Sequence, residues 1–249
     1  MSELVDCIDG LLAEDIIKSI AKTANGTPFY LQTTGGVAWS PASIAGLAYW
    51  FDASDISTLS LTAGDVDQWD DKSGNGRHVT PASNAPSWAA NRITFDLANS
   101  ENLRSGAFVI AQPYTVVVVW KKTVARDIAS YMVGSLNAVA GGMIGTGTSG
   151  AGNFAANAGA ALSWGNNDIT TDHLHIVIFN GASSKYYLDD AASIDGNAGA
   201  NATDGIEIGG YNNWIWIDAE LMEVIGYSGA MSDEDRLLLK TYLQTKWGL

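Results

Sequence analysis

The sequence predicts an all-β protein, a jelly-roll β-sandwich that also carries a helical segment at each end of the chain. Short apolar runs such as Thr115–Trp120 are rich in β-branched residues and are bounded by turn-forming residues. The chain has 27 glycines, and only 16% of its residues are charged, which suits many short strands joined by tight turns. Its 249 residues are 47% hydrophobic, enough for one large core.

The N-terminal arm, residues 1–43, has a different pattern from the rest of the chain. Its apolar residues recur every three or four positions, which predicts a helix with one apolar face, stopped by Asn25-Gly26 and Pro28 and followed by a linker. Such a wide apolar face favours oligomerisation or attachment to a partner, and packing on its own domain is the alternative. We expect a homo-oligomer, with a trimer assumed by analogy with fibres and spikes. The residues expected to make the contact are Leu4, Ile8, Leu11, Leu12, Ile16 and Ile20.

From Gly46 onward the patterns predict strands. The run of valines in Thr115–Trp120 indicates a buried strand. The small residues of 139–165 indicate long loops or closely packed strands. The other predicted strands are the hairpin of Leu174–Asn180 with Lys185–Asp190, the short strand Gly205–Gly210, and Asn213–Ser228 as one strand or two with a bend.

The last element predicted is a helix over Ser232–Trp247. Ser232 is a good N-cap because its hydroxyl can accept a hydrogen bond from a first-turn amide. Acidic residues follow at positions 233–235, where the helix dipole favours negative charge, and Lys240 and Lys246 lie toward the other end.

The stretch "WDDKSGNGRH", Trp69–His78, concentrates polar residues in a short segment. Its Ser73-Gly74-Asn75-Gly76 core suits a turn with positive φ angles, and Asp71 can accept backbone N–H groups across that turn. A tight turn that reverses the chain between two strands is therefore favoured over a catalytic loop. Asp70 and Asp71 are candidate calcium donors, but calcium needs six to eight oxygens and no calcium-binding spacing links them to other acids.

The order of these segments resembles the laminin G-like branch of the concanavalin A-like lectin and glucanase superfamily, particularly the versions in bacteriophage and bacterial surface proteins. The resemblance covers about residues 44–249 and implies a concanavalin A-like sandwich domain over that range. The segments that carry it are Gly46–Leu59, Val66–Ala82, Ile93–Ser105, Pro113–Lys122, His175–Asp190 and the most specific one, Ile217–Leu249.

Catalytic residues are not evident, so no enzyme is expected. Glycosidases need two carboxyl groups on either side of the scissile bond, and the Glu-x-Asp-x-x-Glu strand of the superfamily's glucanases is absent. Glu220 and Glu223 are three residues apart, which places them on opposite faces of a strand. His173 and His175 share a face, but no third zinc ligand is evident, so ordinary hydrogen bonds are favoured.

The best candidate for glycan binding is the segment Gly209–Asp218. Sugar rings stack on aromatic side chains, and amide groups bond the hydroxyls. Trp214 and Trp216 share one face of the predicted strand, which is expected to point outward or toward an intersubunit contact. Packing of the indoles within the sandwich is the alternative. The candidate residues are Tyr211, Asn212, Asn213, Trp214 and Trp216.

Charge and composition limit the function classes. The net charge of −14 opposes binding to nucleic acid and to anionic lipid. Cys7 is the only cysteine and cannot form an internal disulfide. Neither a membrane-spanning run nor a secretory signal is recognisable, so no membrane insertion is expected.

The resemblance to modules of phage particles, together with the arm and the lack of a recognisable export signal, implies a non-enzymatic structural protein at the surface of a bacteriophage virion: a capsid decoration, spike or tail-fibre component. We expect it to contact other virion proteins through the N-terminal arm and host surface glycans through its sandwich. Structural attachment is favoured over receptor binding, because the arm is better defined than any sugar site. A soluble carbohydrate-binding lectin or a degenerate glycan hydrolase is the alternative, and no cofactor is expected beyond the calcium considered above.

Overall fold

The computed structural model describes residues 21–22, 28–29, 39–124, 130–137, 140–146, 153–166 and 170–249. The chain divides into two compact units, Met1–Ser40 and Pro41–Leu249. In the first, Ala21–Lys22 (β1) pairs antiparallel with Pro28–Phe29 (β2). The helix predicted to stop at Asn25-Gly26 therefore does not extend through Ala21–Lys22, and that predicted boundary was wrong. The six residues predicted to make the oligomer contact, Leu4 to Ile20, lie outside the described residues.

The second unit starts with a 3₁₀ turn, Pro41–Ser43, and then consists almost entirely of short strands. Two more 3₁₀ turns cover Ile56–Thr58 and Gly181–Ser183. The strands of its first half are β3 (Leu47–Asp52), β4 (Leu59–Thr62), β5 (Asp65–Trp69), β6 (Val79–Pro81), β7 (Ser87–Ala89), β8 (Arg92–Phe95), β9 (Leu103–Ser105) and β10 (Tyr114–Lys122). Those of its second half are β11 (Ser130–Gly134), β12 (Met143–Thr146), β13 (Asn153–Asn157), β14 (Ala161–Asn166), β15 (His173–Phe179), β16 (Ser184–Leu188), β17 (Ile194–Gly196), β18 (Glu207–Ile208), β19 (Gly210–Tyr211), β20 (Ile215–Trp216) and β21 (Ala219–Ser228), followed by helix α1 (Asp233–Trp247).

One layer of the sandwich is centred on β10. This strand pairs antiparallel with β15 on one side and with β21 on the other. Beyond β21 lie β3 and β8, which pair with its two ends, and beyond β15 lie β16 and β17. The layer therefore joins strands from the beginning, the middle and the end of the unit.

The other layer is built around β11. One series of antiparallel pairs runs from β11 through β12 and β13 to β14, and another runs through β18, β9, β6 and β5 to β4. Strand β7 pairs with both β5 and β8, so the two layers are joined into one curled sheet. This architecture confirms the predicted all-β sandwich.

The valine-rich strand β10 is buried on both faces. Val116, Val118 and Trp120 belong to the main core between the layers. Val117 and Val119 are equally buried but point to the opposite face, because side chains alternate along a strand. Helix α1 packs against β15 and buries Leu239 and Leu243, so the outer face of this layer also has an apolar cover.

The C-terminal helix forms as its sequence predicts. Ser232 is the N-cap, and its hydroxyl accepts a hydrogen bond from the amide of Asp235 at 3.1 Å. Gly248 ends the helix in a left-handed conformation with φ of 72°, which glycine adopts without strain. Among the helices in the described ranges, none is long and apolar enough to cross a membrane.

Candidate glycan-binding surface

The segment Gly210–Trp216, here called the Trp214 hairpin, forms a small antiparallel pair of β19 and β20. Gly210 pairs with Trp216, and Tyr211 pairs with Ile215. At its tip Asn212 and Asn213 have φ angles of 53° and 50°, a left-handed conformation that asparagine tolerates better than most residues. The amide of Trp214 donates to the carbonyl of Tyr211 at 3.1 Å, which closes the turn.

A fully buried carboxylate lies beneath this turn. Both oxygens of Glu207, on β18, accept the backbone N–H of Asn213 at 3.1 Å. The side-chain amide of Asn102 donates to Glu207 at 2.9 Å and to the side-chain oxygen of Asn213 at 3.0 Å. The Nε of Arg104 lies 3.1 Å from the Glu207 carboxylate. Burial raises the pKa of Glu207, while these donors act in the opposite direction.

The aromatic side chains of the hairpin differ in exposure. Trp214 is 74% exposed, the most exposed large hydrophobic side chain among the described residues. The ring of Tyr211 is tilted against Tyr131 of β11, with centroids 5.2 Å apart. Trp216 is half-buried, and its indole N–H has no hydrogen-bond partner in the described part of the chain.

The five residues predicted to bind glycan therefore share one loop, but only part of the predicted arrangement is present. Trp214 lies at the turn with its ring open to solvent, whereas Trp216 is partly covered on β20, so the two indoles do not form one exposed face. An open indole face can stack on the C–H groups of a sugar ring, and the neighbouring asparagines offer donors and acceptors for hydroxyls.

Sequence reasoning missed the residues that support this loop. Glu207, Asn102 and Tyr131 lie far from the hairpin in sequence or on another strand, and only the fold brings them together. One signal was present, since Glu207 is a lone acid between two isoleucines in a short apolar strand, and a buried acid requires partners.

The turn in "WDDKSGNGRH" is structural, as predicted. One oxygen of Asp71 accepts the amides of Trp50 and Ser73 at 3.0 and 2.9 Å. The other accepts the Ser73 hydroxyl at 2.8 Å and the amide of Arg77 at 3.0 Å. Gly74 and Gly76 have φ angles of 84° and 70°. Asp71 therefore fastens the turn to β3.

The candidate calcium donors both have protein partners. The four donors just described occupy Asp71, which is buried. Asp70 accepts from the Gln68 amide at 2.6 Å and lies 2.9 Å from Nδ1 of His78. No group of three or more His, Cys, Asp or Glu side chains gathers in the described ranges in a way that could hold a metal ion.

A pair of acids that the sequence did not predict lies on neighbouring strands. Glu223 on β21 is directly opposite Asp52 on β3, and the Nζ of Lys246 on α1 lies 2.7 Å from both carboxylates. The indole N–H groups of Trp50 and Trp247 also donate to Glu223, each at 2.7 Å.

The pKa values of the two acids are shifted in opposite directions. Burial raises the pKa of Glu223. Burial would also raise the pKa of Asp52, but hydrogen bonds from Lys246, Ser54 and Lys72 outweigh it and lower that pKa. Glu223 is 1% exposed beneath the helix, so this pair joins α1 to the sheet and is closed to a polysaccharide.

The two strand histidines make ordinary hydrogen bonds, as predicted. Nδ1 of His173 lies 2.6 Å from the Asp189 carboxylate, and Nδ1 of His175 lies 2.6 Å from the Tyr186 hydroxyl. Their rings share the interior face of β15, with centroids 6.2 Å apart. Burial lowers the pKa of His175 well below its ordinary value.

No protein-family model matches the chain, and no curated protein matches its sequence. Solved structures do match its fold. Trypanosoma rangeli sialidase in complex with sialic acid is 14% identical, with a TM-score of 0.59 over 98% of this chain and 39% of the sialidase. The chain thus spans about two fifths of that enzyme.

Two further structures are similar over most of the chain. Domain 4 of AbnA, a GH43 extracellular arabinanase from Geobacillus stearothermophilus, in complex with arabinotriose, is 15% identical, with a TM-score of 0.54 over 80% of this chain and 98% of that domain. A structure of botulinum neurotoxin type C, whose cell entry depends upon interaction with two ganglioside molecules, is 13% identical, with a TM-score of 0.57 over 82% of this chain and 53% of the toxin chain. At these identities the likeness is one of fold, and the fold is an all-β, concanavalin A-like sandwich.

Proposed function

We propose that the chain is a non-enzymatic carbohydrate-binding module that stacks a sugar ring on the indole of Trp214. The observation that carries this proposal is the 74% exposure of Trp214 on a turn that a buried carboxylate holds in place. Exposing so much aromatic surface gives up the free energy of burying it, roughly 1.5–3 kcal/mol for a large apolar side chain. A binding partner that covers the ring would recover that free energy.

The surroundings of Trp214 suit a neutral sugar. Indole faces attract the C–H groups of a sugar ring, while Asn212 and Asn213 on the same turn can bond hydroxyls. Because Glu207 fixes the turn through the backbone of Asn213, little conformational entropy is lost on binding. The arabinotriose-bound domain supports the proposal, since a sandwich of this fold and similar length binds an oligosaccharide.

The position of the acids supports a non-enzymatic role. A glycosidase needs two carboxyl groups in contact with the substrate, roughly 5–10 Å apart. The Asp52–Glu223 pair lies beneath α1 and bonds to lysine and indole groups rather than to solvent. We expect no hydrolysis of polysaccharides by this chain.

The N-terminal arm adds the second part of the proposal, attachment to a larger particle. The apolar repeat from Leu4 to Ile20 supports a contact between copies of the chain or with another protein. The resemblance to domains of bacteriophage surface proteins supports a virion as that particle, with the sandwich turned toward glycans of the host surface. A soluble lectin without a particle is the alternative, and it needs no oligomer.

The first test is a comparison of Trp214→Ala with Leu237→Ala. Leu237 is 46% exposed on α1, so its variant removes exposed apolar surface away from the hairpin. On a broad glycan array that includes arabinotriose, we expect Trp214→Ala to weaken binding by about tenfold or more, consistent with a lost stacking contact. We expect Leu237→Ala to bind like the wild type. Absence of binding across the array, or equal loss in both variants, would exclude the Trp214 hairpin as the sugar site.

A further inference from the structure

A polar depression lies beside the turn at Ser73–Gly76, which is far in sequence from the Trp214 hairpin. It has a volume of about 340 Å³ and lies between that turn, the start of β3 and the end of β21. We call it the Arg77 pocket, and the side chains that define it are Asn75, Arg77, Val109 and Ser228.

The guanidinium of Arg77 is held in place but has no acidic partner. Its Cζ lies 4.1 Å from the centroid of the Phe108 ring, and its Nη1 donates to the carbonyl of Ala48 at 3.0 Å. Within the described ranges no carboxylate pairs with it, although acidic residues outnumber basic ones 27 to 13 in the chain. The nearby Asp71 bonds the backbone amide of Arg77 instead. The remaining N–H groups of the fork are therefore available to a ligand.

The ring under this guanidinium packs against the core. Phe108 packs on Tyr49 with ring centroids 6.1 Å apart, and Tyr49 packs on Phe51 at the same distance within the core. A stacked and hydrogen-bonded arginine loses less side-chain entropy on binding than a free one, which favours recognition of a planar anion.

The other side chains of the pocket supply acceptors and an apolar edge. The amide nitrogen of Asn75 donates to the carbonyls of Leu47 and Ala48 at 3.0 and 2.9 Å, which leaves its oxygen as an acceptor. The hydroxyl of Ser228 donates to the Gly46 carbonyl at 3.1 Å, which leaves its oxygen lone pairs. Val109 is 72% exposed.

We infer that the Arg77 pocket binds a small carboxylate that also carries hydroxyl groups, which is the chemistry of a sugar acid. The guanidinium fork matches a carboxylate in two parallel hydrogen bonds. The oxygens of Asn75 and Ser228 accept from the hydroxyls, and Val109 covers the C–H edge of the ring. The net charge of −14 opposes an anion at long range, but salt screens charges beyond about 8 Å at physiological ionic strength, so the local cation decides.

The test compares two ligands that differ only at C6: the methyl glycoside of glucuronate, called glucuronate here, carries a carboxylate there, and methyl glucoside carries a CH₂OH group. Glucuronate and methyl glucoside are titrated separately into the full chain, with affinity measured by calorimetry and position by backbone amide shifts. We expect glucuronate to shift the amides of Asn75, Arg77 and Ser228 saturably, and methyl glucoside to leave them unchanged.

Matched variants then assign the binding. Arg77→Met keeps a long side chain over Phe108 without the charge, and we expect it to weaken glucuronate binding about tenfold or more. Lys185→Met is the control, because Lys185 is another cation without a carboxylate partner among the described residues but lies on β16. We expect it to bind like the wild type.

Arg77→Lys and Ser228→Ala test the Arg77 pocket even if Arg77→Met does not fold. Each is expected to weaken glucuronate binding severalfold, since one loses the fork and the other an acceptor. No saturable shift with glucuronate, equal shifts with methyl glucoside, or an equal loss in Lys185→Met would overturn the inference. Trp214→Ala should leave glucuronate binding unchanged, so this site and the proposed stacking site fail independently.

Discussion

At the residue scale, the direction of Trp214 depends on a carboxylate that solvent does not reach. Glu207 bonds Asn213 and Asn102 and faces the cation of Arg104. A buried charge is stable only when its hydrogen bonds and its counter-charge are both supplied, and all three partners provide them here. The exposed indole is thus supported by a polar network that lies entirely below the turn.

His175 leads to the first prediction at this scale, a loss of stability at acidic pH. The ring lies between Trp120, Phe154 and Tyr186, and burial lowers its pKa well below the ordinary value. The pKa of histidine in an unfolded chain is about 6.5. Below that pH the unfolded state therefore binds a proton that the folded state does not bind. Stability is therefore full above the unfolded pKa and falls as the pH drops toward the folded pKa, by at most about 1.4 kcal/mol per pH unit.

The measurement is the free energy of unfolding by urea between pH 7.5 and 5.0, for the wild type and for His175→Asn. Asparagine keeps a group that can bond Tyr186 but does not titrate. We expect the variant to be less stable at pH 7.5 and to show a flatter dependence on pH. Other groups, such as Glu207 and Glu223, titrate alike in both proteins and cancel in the difference. Parallel pH curves would contradict the role assigned to His175.

At the scale of elements, helix α1 is attached to the sheet by charge as well as by apolar contacts. Lys246 places one ammonium 2.7 Å from two buried carboxylates, those of Asp52 and Glu223. Lys240, two turns earlier on the same helix, pairs with Asp190, which is largely exposed. The two lysines provide a matched comparison between a buried and an exposed ion pair.

We predict that Lys246→Met destabilises the protein by about 3 kcal/mol, because it leaves two buried carboxylates with fewer donors. Lys240→Met should cost less than about 1 kcal/mol, since exposed ion pairs contribute little. Chemical denaturation of the two variants gives both values directly. Equal effects would mean that apolar packing of Leu239 and Leu243 alone holds the helix.

Local patterns predicted those elements whose formation depends on neighbouring residues. The valine run of β10, the cap at Ser232 and the Asp71 turn were all predictable, because their interactions lie within a few positions in sequence or depend on burial alone. The Asp52–Glu223 pair was not, since 171 positions separate its members and only the strand register brings them together. The prediction that Glu220 and Glu223 lie on opposite faces was wrong, because a β-bulge opposite Val119 and Trp120 puts both on one face: Glu223 pairs with Val119 and Glu220 with Lys121.

The same distinction holds for the candidate site. The segment was identifiable, because asparagines and tryptophans cluster in "YNNWIW". Its strand pattern was only partly correct. The turn at Asn212 and Asn213 breaks the alternation, so Trp214 lies in the turn and outside β20. A further break at Ile217–Asp218 separates β20 from β21. Two successive asparagines are the residues most able to adopt left-handed conformations outside glycine, and they indicated such a turn.

At the scale of the whole molecule, both proposed sites lie on loops, while the two layers supply a rigid support. Phe108 stacks under Arg77 and reaches the core through Tyr49, and Glu207 stands on a strand of the second layer. Loops carried on a packed sandwich can change their ligands without changing the core. The similar structures agree with this view, because they share the sandwich fold although only 13–15% of their residues are identical to those of this chain.

The last prediction concerns the assembly, for which the sequence of the N-terminal arm is the only basis. If its apolar repeat joins copies of the chain, several Trp214 hairpins act on one glycan surface, and their combined affinity exceeds that of one site by about 10²–10⁴ when the geometry allows them to bind together.

Leu12 is central to the repeat. We predict that Leu12→Asp dissociates the full chain from the expected trimer to a single chain of 26.2 kDa. Gly10→Asp adds the same charge on the opposite side of the predicted helix and should leave the oligomer intact. Light scattering measures both masses, and a monomeric wild type, an undissociated Leu12→Asp variant or equal dissociation in the control would each refute assembly through this face.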